Sequence, residues 1–253
     1  MIRRGWFLIL ACAVLVLVVG VMVLVHLRLR SADSRLPERG TRTVRVGNCP
    51  AEVEVIGHEF TREMLASGES VGRTYQGFQE AMSASPGYVE GQQGLVPTPP
   101  TTTLSERMTL HRGGREIQLL FFGRGHTGGD VVVYLPEERA LISGDLLLPG
   151  LPFMGDGFPE DWVNTLEALK SLPTDVVIPG HGQPFEDLGR IDALQSYLRD
   201  LWERTTDARA QGLTADQAAA QIDMTDHADD YPGITAPGAP ITAVERIYEL
   251  MGG

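Results

Sequence analysis

Apolar residues recur along the chain at spacings that distinguish strands from helices. Alternating or short continuous apolar runs predict strands, and apolar residues three or four positions apart predict helices. The predicted strands are residues 51–57, 106–112, 115–122, 130–135, 139–144 and 174–180. The predicted helices are residues 60–82, 159–172, 191–205, 213–222 and 241–250. Residues 83–103 are rich in Pro, Gly and Thr, and we expect them to form a loop.

The strands in the middle of the chain are predicted to pair in antiparallel fashion. Gly113 and Gly114 separate two apolar runs and supply the backbone freedom that a two-residue hairpin turn needs. A second pair, residues 130–135 and 139–144, is joined by a three-residue connection. Because the strands come mainly in antiparallel pairs and helices follow them, the predicted fold class is mixed α/β, or α+β.

Residues 6–25 form an apolar run of 20 residues without a charge. A helix of that length spans about 30 Å, which is the thickness of a bilayer's hydrocarbon core. The run therefore predicts one transmembrane helix, and with it a single-pass membrane protein that contacts the lipid bilayer through residues 6–25. A cleaved secretory signal and a buried helix are the alternatives, and the side of the membrane on which the rest of the chain lies stays undecided.

Composition divides the chain into three parts. Residues 1–30 are the predicted anchor with basic flanks, residues 31–43 are a polar linker, and residues 44–253 form the folded domain. Residues 1–46 carry eight Arg and two acids, whereas the remainder carries 13 basic and 31 acidic residues, a net charge of −18. A domain this acidic repels phosphate groups, so we expect no nucleic-acid partner.

Three predicted strands end beside a glycine and a potential metal ligand. The ligands are His126 in GRGHTGGD, Asp145 in ISGDLLL and His181 in VIPGHG. Neutral imidazole and carboxylate suit Zn²⁺, and also Fe or Mn. Flanking glycines let the backbone turn sharply and leave room for an ion and a substrate. Each residue alone could be a turn residue or a helix cap, but the three together, each at a strand end, predict a metal site.

The stretch GHTGGDVVVYLPEERALISGDLLL, residues 125–148, followed by VIPGHG, residues 177–182, resembles the second half of a metallo-β-lactamase-fold hydrolase. The resemblance extends back to VEVIGHEFTREML, residues 53–65, and forward to VERIYELM, residues 244–251. It implies a sandwich of two sheets with helices outside, an αββα architecture. It also implies that the protein is a hydrolase that uses one or two Zn²⁺ ions.

The resemblance assigns roles to individual residues. His126 would bind the first metal ion, Asp145 would bridge both ions, and His181 would bind the second. Phe153 and Asp156, which follow the bridging Asp, would line the substrate pocket. Three other histidines are predicted not to bind metal. His58 is expected to be a surface residue at a strand end, His111 an exposed hairpin residue, and His227 part of a solvated acidic loop.

The family's HxHxDH motif, which supplies two histidines to one metal and an Asp-His pair to the other, is absent from the 253 residues. The nearest sequence is HLRLRS, in which Arg28 and Arg30 stand at ligand positions, and a guanidinium has no acceptor atom. A catalytic zinc normally has three protein ligands and an open position. We therefore expect residues 44–253 to form a truncated domain, an incomplete αββα sandwich, with impaired chemistry.

Two functions follow from these observations. The first is a membrane-anchored, metal-dependent hydrolase that acts on a small ester- or amide-type substrate and takes its missing metal ligands from a partner chain or an unrecognised segment. The second is a non-catalytic remnant, meaning a pseudoenzyme or the product of a disrupted reading frame. An incomplete sandwich would leave apolar sheet surface uncovered, which predicts a homodimer or a domain of marginal stability.

Overall fold

The computed structural model describes residues 54–67 and 99–252, which belong to one compact unit. The strands of this part are β1 (Ile56–His58), β2 (Thr102–Leu104), β3 (Arg107–Arg112), β4 (Arg115–Leu120), β5 (Val132–Leu135), β6 (Ala140–Gly144) and β7 (Val176–Pro179). Its helices are α1 (Glu59–Ser67), α2 (Pro159–Leu169), α3 (Gly189–Ala210), α4 (Ala215–Gln221) and α5 (Ile241–Leu250), with a 3₁₀ turn at Thr225–His227. The prediction of a mixed α/β fold is confirmed.

The main sheet has five strands in the order β3-β4-β5-β6-β7. Neighbouring strands from β3 to β6 pair in antiparallel fashion, as the sequence predicts. The turn between β3 and β4 consists of Gly113 at φ 61° and Gly114 at φ 78°. Two consecutive positive φ angles give the primed hairpin turn whose twist matches the strands that it joins.

The last pair, β6 and β7, is parallel, and α2 lies on the connection between the two strands. Leu141 of β6 pairs with Val177 of β7, and an irregularity after Ile142 brings Gly144 opposite Pro179. The next residue, Gly180, donates its backbone N–H to the carbonyl oxygen of Gly144 at 2.9 Å. The carboxyl ends of these two strands are therefore fastened side by side.

The hydrophobic core brings together the buried residues of β4 to β7 and of helices α2 to α5. Helix α2 contributes Trp162, Leu166 and Leu169, which are at most 1% exposed. Their spacing of four and then three residues places them on one helix face. Helix α3 repeats that spacing with Leu194, Leu198 and Leu201. This burial is why periodicity predicted the existence of both helices, although their bounds differ from the predicted 159–172 and 191–205.

Element boundaries differ from the predicted ones at several places. Helix α3 extends beyond residues 191–205 at both ends, whereas α5 has the predicted bounds. The predicted loop over residues 83–103 is wrong at its end, because Thr102 and Thr103 belong to β2 and pair in parallel with β1. This pairing joins residues 46 positions apart, as in Ile56 opposite Thr102, so no local sequence pattern predicts it.

No helix within residues 54–67 and 99–252 is both long and apolar enough to cross a membrane. The longest of them, α3, carries eight charged residues among its 22 and buries its apolar face in the core. The prediction of a single-pass membrane protein is corrected on this finding. The predicted span, residues 6–25, lies outside the described residues, as do the predicted boundaries at residues 30 and 43.

Helix α2 also fastens the connection between β4 and β5. The hydroxyl of Thr165, which is 2% exposed, donates a hydrogen bond to the carbonyl oxygen of Arg124 at 2.7 Å. Thr205 on α3 is equally buried at 0% exposure, but its hydroxyl has no hydrogen-bond partner in the described part of the chain. The two threonines form a matched pair, one with a hydrogen bond and one without.

Replacing these threonines with the near-isosteric valine should have opposite effects on the free energy of unfolding. We expect Thr165→Val to lower it by about 1 kcal/mol, because a hydrogen bond is lost. We expect Thr205→Val to leave it unchanged or raise it by about 1 kcal/mol, because a buried hydroxyl without a partner is removed. Urea denaturation of both variants tests this, and equal destabilisation would contradict the hydrogen-bond assignment.

Glycine at position 180 is required by the close approach of β6 and β7. A Cβ atom there would lie 2.3 Å from Oδ1 of Asp145 and 3.1 Å from the carbonyl carbon of Gly144. Gly180→Ala should therefore lower the free energy of unfolding by about 1–3 kcal/mol, the usual effect of overpacking. Gly150→Ala is the control, because a Cβ at Gly150 would meet no atom within 4 Å, and its effect should stay within about 0.5 kcal/mol.

Candidate metal centre

The sheet topology places the three predicted ligand loops at one edge. Leu120, at the end of β4, pairs with Val132, at the start of β5, and Val133 pairs with Ile142 near the end of β6. Strand β7 runs parallel to β6 and ends beside it. The loop between β4 and β5 and the residues that follow β6 and β7 therefore share an edge, and they hold His126, Asp145 and His181 respectively.

Asp145 and His181 lie next to each other at this edge. Nε2 of His181 is 3.5 Å from Oδ2 of Asp145, which is too long for a good hydrogen bond. Two ligand atoms on one tetrahedral zinc, each about 2.0–2.2 Å from the ion, lie about 3.3–3.5 Å apart. The separation of these two atoms therefore fits two ligands of a common ion. The Asp145 side chain is 28% exposed and that of His181 is 73% exposed, so the pair opens to solvent.

Hydrogen bonds fix the backbone around His126. Asp130 accepts two of them from Thr127, one from the backbone N–H at 2.8 Å and one from the hydroxyl at 2.6 Å. Gly125 donates to the carbonyl oxygen of Thr127 at 2.9 Å and accepts from the N–H of Phe158 at 2.8 Å. The loop is thus closed on itself and attached to the residue that precedes α2.

The glycines of this loop have packing roles that the sequence did not reveal. A Cβ at Gly125 would lie 2.3 Å from Leu146, and one at Gly128 would lie 2.6 Å from the ring of Phe60 on α1. Gly123 adopts φ 134°, a conformation that side chains disfavour. The sharp turn predicted at these glycines agrees with the positive φ of Gly123, and the close contacts at Gly125 and Gly128 let Leu146 and Phe60 approach the loop. Space for an ion and a substrate stays a prediction.

The side chain of His126 contacts the buried Trp162 edge to face, with ring centroids 5.8 Å apart. Trp162 in turn donates its indole N–H to the carbonyl oxygen of Leu146, the residue after Asp145, at 3.0 Å. The same aromatic residue therefore contacts the His126 ring and the backbone beside Asp145. This connects the first ligand loop to the second through α2.

No group of three His, Cys, Asp or Glu side chains that could hold a metal ion occurs among residues 54–67 and 99–252. The structure brings together Asp145 and His181, and it places His126 at the same edge without joining it to the pair. A catalytic zinc normally has three protein ligands, so these residues do not fit a complete zinc site. The convergence of all three side chains on one ion stays a prediction.

Phe153 and Asp156 follow β6 on the connection to α2. Phe153 is 42% exposed, and its ring lies over Gly155, where a Cβ would come within 2.4 Å of it. Asp156 is half-buried. The assignment of both residues to a substrate pocket stays a prediction.

Two other histidines make contacts that local sequence did not reveal. His58 ends β1, where its Nδ1 accepts the N–H of Phe60 at 3.2 Å and its Nε2 lies 3.3 Å from the carbonyl oxygen of Ser105. Both ring nitrogens thus have backbone partners, and the absence of a ligand role for His58 stays a prediction. His227 was predicted to lie in a solvated loop, and that prediction is wrong.

The His227 side chain is buried, with the residue only 5% exposed. Its Nε2 lies 2.8 Å from Oδ2 of Asp200, and its ring meets Tyr197 edge to face at 5.3 Å. Asp200 and Tyr197 both project from α3, three residues apart on one face. The acidic residues next to His227 in the sequence predicted an exposed side chain. The structure instead pairs its ring with Asp200, 27 residues away, and this partner stabilises the buried position.

Comparison with known proteins places this geometry in a family. The sequence profile of the Metallo-beta-lactamase superfamily matches residues 47–181. A linear primary-alkylsulfatase of Pseudomonas sp. is 28% identical over 143 residues, which cover 52% of this chain and 27% of that protein. The 2,4-dinitroanisole O-demethylase subunit alpha of Nocardioides sp. is 27% identical over 177 residues, which cover 69% of this chain and 44% of that protein.

A solved structure has a similar fold. A double mutant of the sec-alkyl sulfatase PisA1 superposes with a TM-score of 0.50 at 17% identity, over 62% of this chain and 27% of that one. The chain spans less than half the length of the two curated relatives. Because the superfamily profile matches more than half of its 253 residues, the chain belongs to the metallo-β-lactamase superfamily.

Proposed function

We propose that this chain is a hydrolase-like member of its superfamily that binds zinc weakly through Asp145 and His181 and is impaired in the hydrolysis of small ester- or amide-type substrates. The observation that carries the proposal is the 3.5 Å separation of Asp145 Oδ2 and His181 Nε2 at the end of two paired strands. One carboxylate and one imidazole are ligands that Zn²⁺ accepts.

Weak binding follows from the number of donors. Two protein ligands leave two positions of a tetrahedral zinc to water, and each missing ligand removes part of the binding free energy. His126 is the best candidate for a third ligand, since it lies at the same edge against Trp162. The HxHxDH motif that would complete the site is absent from the 253 residues. A loosely held ion is a poor activator of water, which is why we propose impaired hydrolysis.

The substrate class rests on the similar proteins. One is named an alkylsulfatase and another an O-demethylase, so both names describe removal of a group bonded through oxygen. The acidic character of residues 47–253 gives no attraction to a polyanion, which supports a small molecule over a nucleic acid. An alkyl sulfate is an ester and an anisole is an ether, so we favour a small substrate that is cleaved at a bond to oxygen, with an ester as the first candidate.

A non-catalytic remnant is the second candidate, and one observation favours it. The His181 side chain is 73% exposed, against 28% for Asp145, so the imidazole half of the pair is open to solvent. Catalytic metal sites gain from a dry, shaped cavity around the ion, because electrostatic interactions strengthen when water is excluded. A protein that binds zinc at an open pair without turning over an ester would be such a remnant.

Zinc binding by the full-length chain tests the proposal directly. After chelation and dialysis against a series of Zn²⁺ concentrations, metal content should approach one ion per chain only at high free zinc. His181→Ala and Asp145→Asn should each weaken binding by about 10- to 100-fold, because half of the described donor set is lost. His126→Ala should weaken it too if this residue supplies the third ligand.

The matched control is His111→Ala, which removes an exposed histidine on β3. Its zinc content should equal that of the unmodified protein. Zinc binding that ignores His181→Ala, or no binding at all at millimolar zinc, would contradict the proposed site.

Turnover separates the hydrolase from the remnant. At saturating zinc we expect slow, zinc-dependent hydrolysis of 4-nitrophenyl acetate or 4-nitrophenyl sulfate, well below the about 10 s⁻¹ that is typical of enzymes. Asp145→Asn should abolish the zinc-dependent part, and His111→Ala should retain it. Stoichiometric zinc without any such turnover would support the remnant instead.

A further inference from the structure

A cavity of about 580 Å³ lies between the residues that follow Asp145 and the segment before α5. Its walls include Pro149 and Leu151 from the connection after β6, and Tyr231 and Ile234 from the C-terminal segment. Pockets for small molecules in proteins usually have volumes of roughly 300–1,000 Å³. The cavity therefore has the size of a ligand site, and neither the predicted metal residues nor Phe153 and Asp156 line it.

The rim of the cavity is held in place by backbone hydrogen bonds. Ile234 donates to the carbonyl oxygen of Tyr231 at 2.9 Å, Gly238 donates to Ile222 at 2.7 Å, and Ala239 donates to Ala219 at 2.8 Å. Prolines at positions 232, 237 and 240 restrict the same segment further. A rim fixed in this way loses little conformational entropy when a ligand binds.

The lining is apolar apart from a few polar groups. Met224 and Tyr197 line it from the core, and each is only 1% exposed. Burial raises the pKa of Tyr197 to about 12, so its phenol remains a hydrogen-bond donor at neutral pH. Burial likewise raises the pKa of Tyr231. Among residues 54–67 and 99–252, Asp230 is the charged residue that lines the cavity, and its carboxylate disfavours an anionic ligand.

Pro149, which forms one wall of the cavity, also lies against the loop that carries His181. Pro149 lines the cavity, and a Cβ at Gly182, the residue after His181, would lie 2.7 Å from Cγ of Pro149. Arg190 fixes this wall by donating from Nη1 to the carbonyl oxygen of Pro149 at 2.5 Å. A molecule that fills the cavity against Pro149 therefore lies beside the loop that carries His181.

We propose that this cavity binds the apolar part of an uncharged small molecule and directs its ester group toward Asp145 and His181. The second half of the statement rests on the proposed function, whereas binding of an apolar molecule in the cavity does not. The ligand has an alkyl or aromatic body, which suits the apolar walls.

Binding of the neutral fluorophore N-phenyl-1-naphthylamine to the full-length, zinc-free chain tests the cavity. Ala236 lines it and is exposed, so a tryptophan there would fill the space without disturbing the core. Ala236→Trp should weaken binding about tenfold or more, which corresponds to about 1.4 kcal/mol. Ala220→Trp, at an exposed alanine of α4 outside the lining, is the matched control and should bind the fluorophore normally. Equal binding by both variants would overturn the proposal.

Competition with a matched ligand pair tests the charge preference. Methyl octanoate should displace the fluorophore, and octanoate, which differs by a negative charge, should do so about fivefold more weakly. Asp230→Asn should reduce that difference. Displacement by octanoate as strong as that by methyl octanoate in the unmodified protein would overturn the preference for an uncharged molecule.

Added zinc tests the direction of the ester group and separates this inference from the proposed function. If the carboxylate of octanoate reaches a zinc ion at Asp145 and His181, saturating zinc should strengthen octanoate binding. His181→Ala should remove that effect. Bound zinc that leaves octanoate affinity unchanged would overturn the placement. Absence of zinc binding with normal fluorophore binding would instead refute the proposed metal function and leave the cavity site standing.

Discussion

The parallel pairing of β6 with β7 is the constraint on which the candidate centre depends. Two strands that run in the same direction end at the same edge, and the hydrogen bond from Gly180 to Gly144 holds their ends together at 2.9 Å. Asp145 and His181 each follow one of these glycines by a single residue. This places the two side chains next to each other, and a Cβ at position 180 would lie 2.3 Å from Oδ1 of Asp145.

Helix α2 lies on the connection that the parallel pairing of β6 and β7 requires. A parallel pair requires a crossover, and this crossover carries Trp162, which packs against the His126 loop and donates to the backbone after Asp145. The connection also supplies Pro149, the wall shared by the loop of His181 and the cavity beneath the C-terminal segment. The Asp145–His181 pair, the crossover with α2 and the cavity wall at Pro149 are thus all attached to the β6–β7 pair. The proposed weak zinc site thus consists of two protein ligands, Asp145 and His181, on a well-packed backbone.

Sequence patterns predicted the elements whose causes are local. Gly113 and Gly114 specified their hairpin, and the apolar spacing around Trp162 specified α2. Features that depend on distant partners were missed: β2 pairs with β1, 46 residues away, and the buried His227 has its partner Asp200 27 residues away. The ligand candidates were found by their motif, whereas the packing roles of Gly125 and Gly128 depend on helices that no local pattern places beside them. The cavity had no sequence signal, since its walls come from segments that are far apart in the chain.

The central claim is that one ion can be shared by Asp145 and His181. The most direct measurement is a crystal structure of the zinc-soaked full-length protein, with anomalous diffraction recorded on both sides of the zinc absorption edge. The account predicts a single anomalous peak about 2.0–2.2 Å from Oδ2 of Asp145 and Nε2 of His181. Zinc bound elsewhere, with these two side chains turned away from each other, would contradict it.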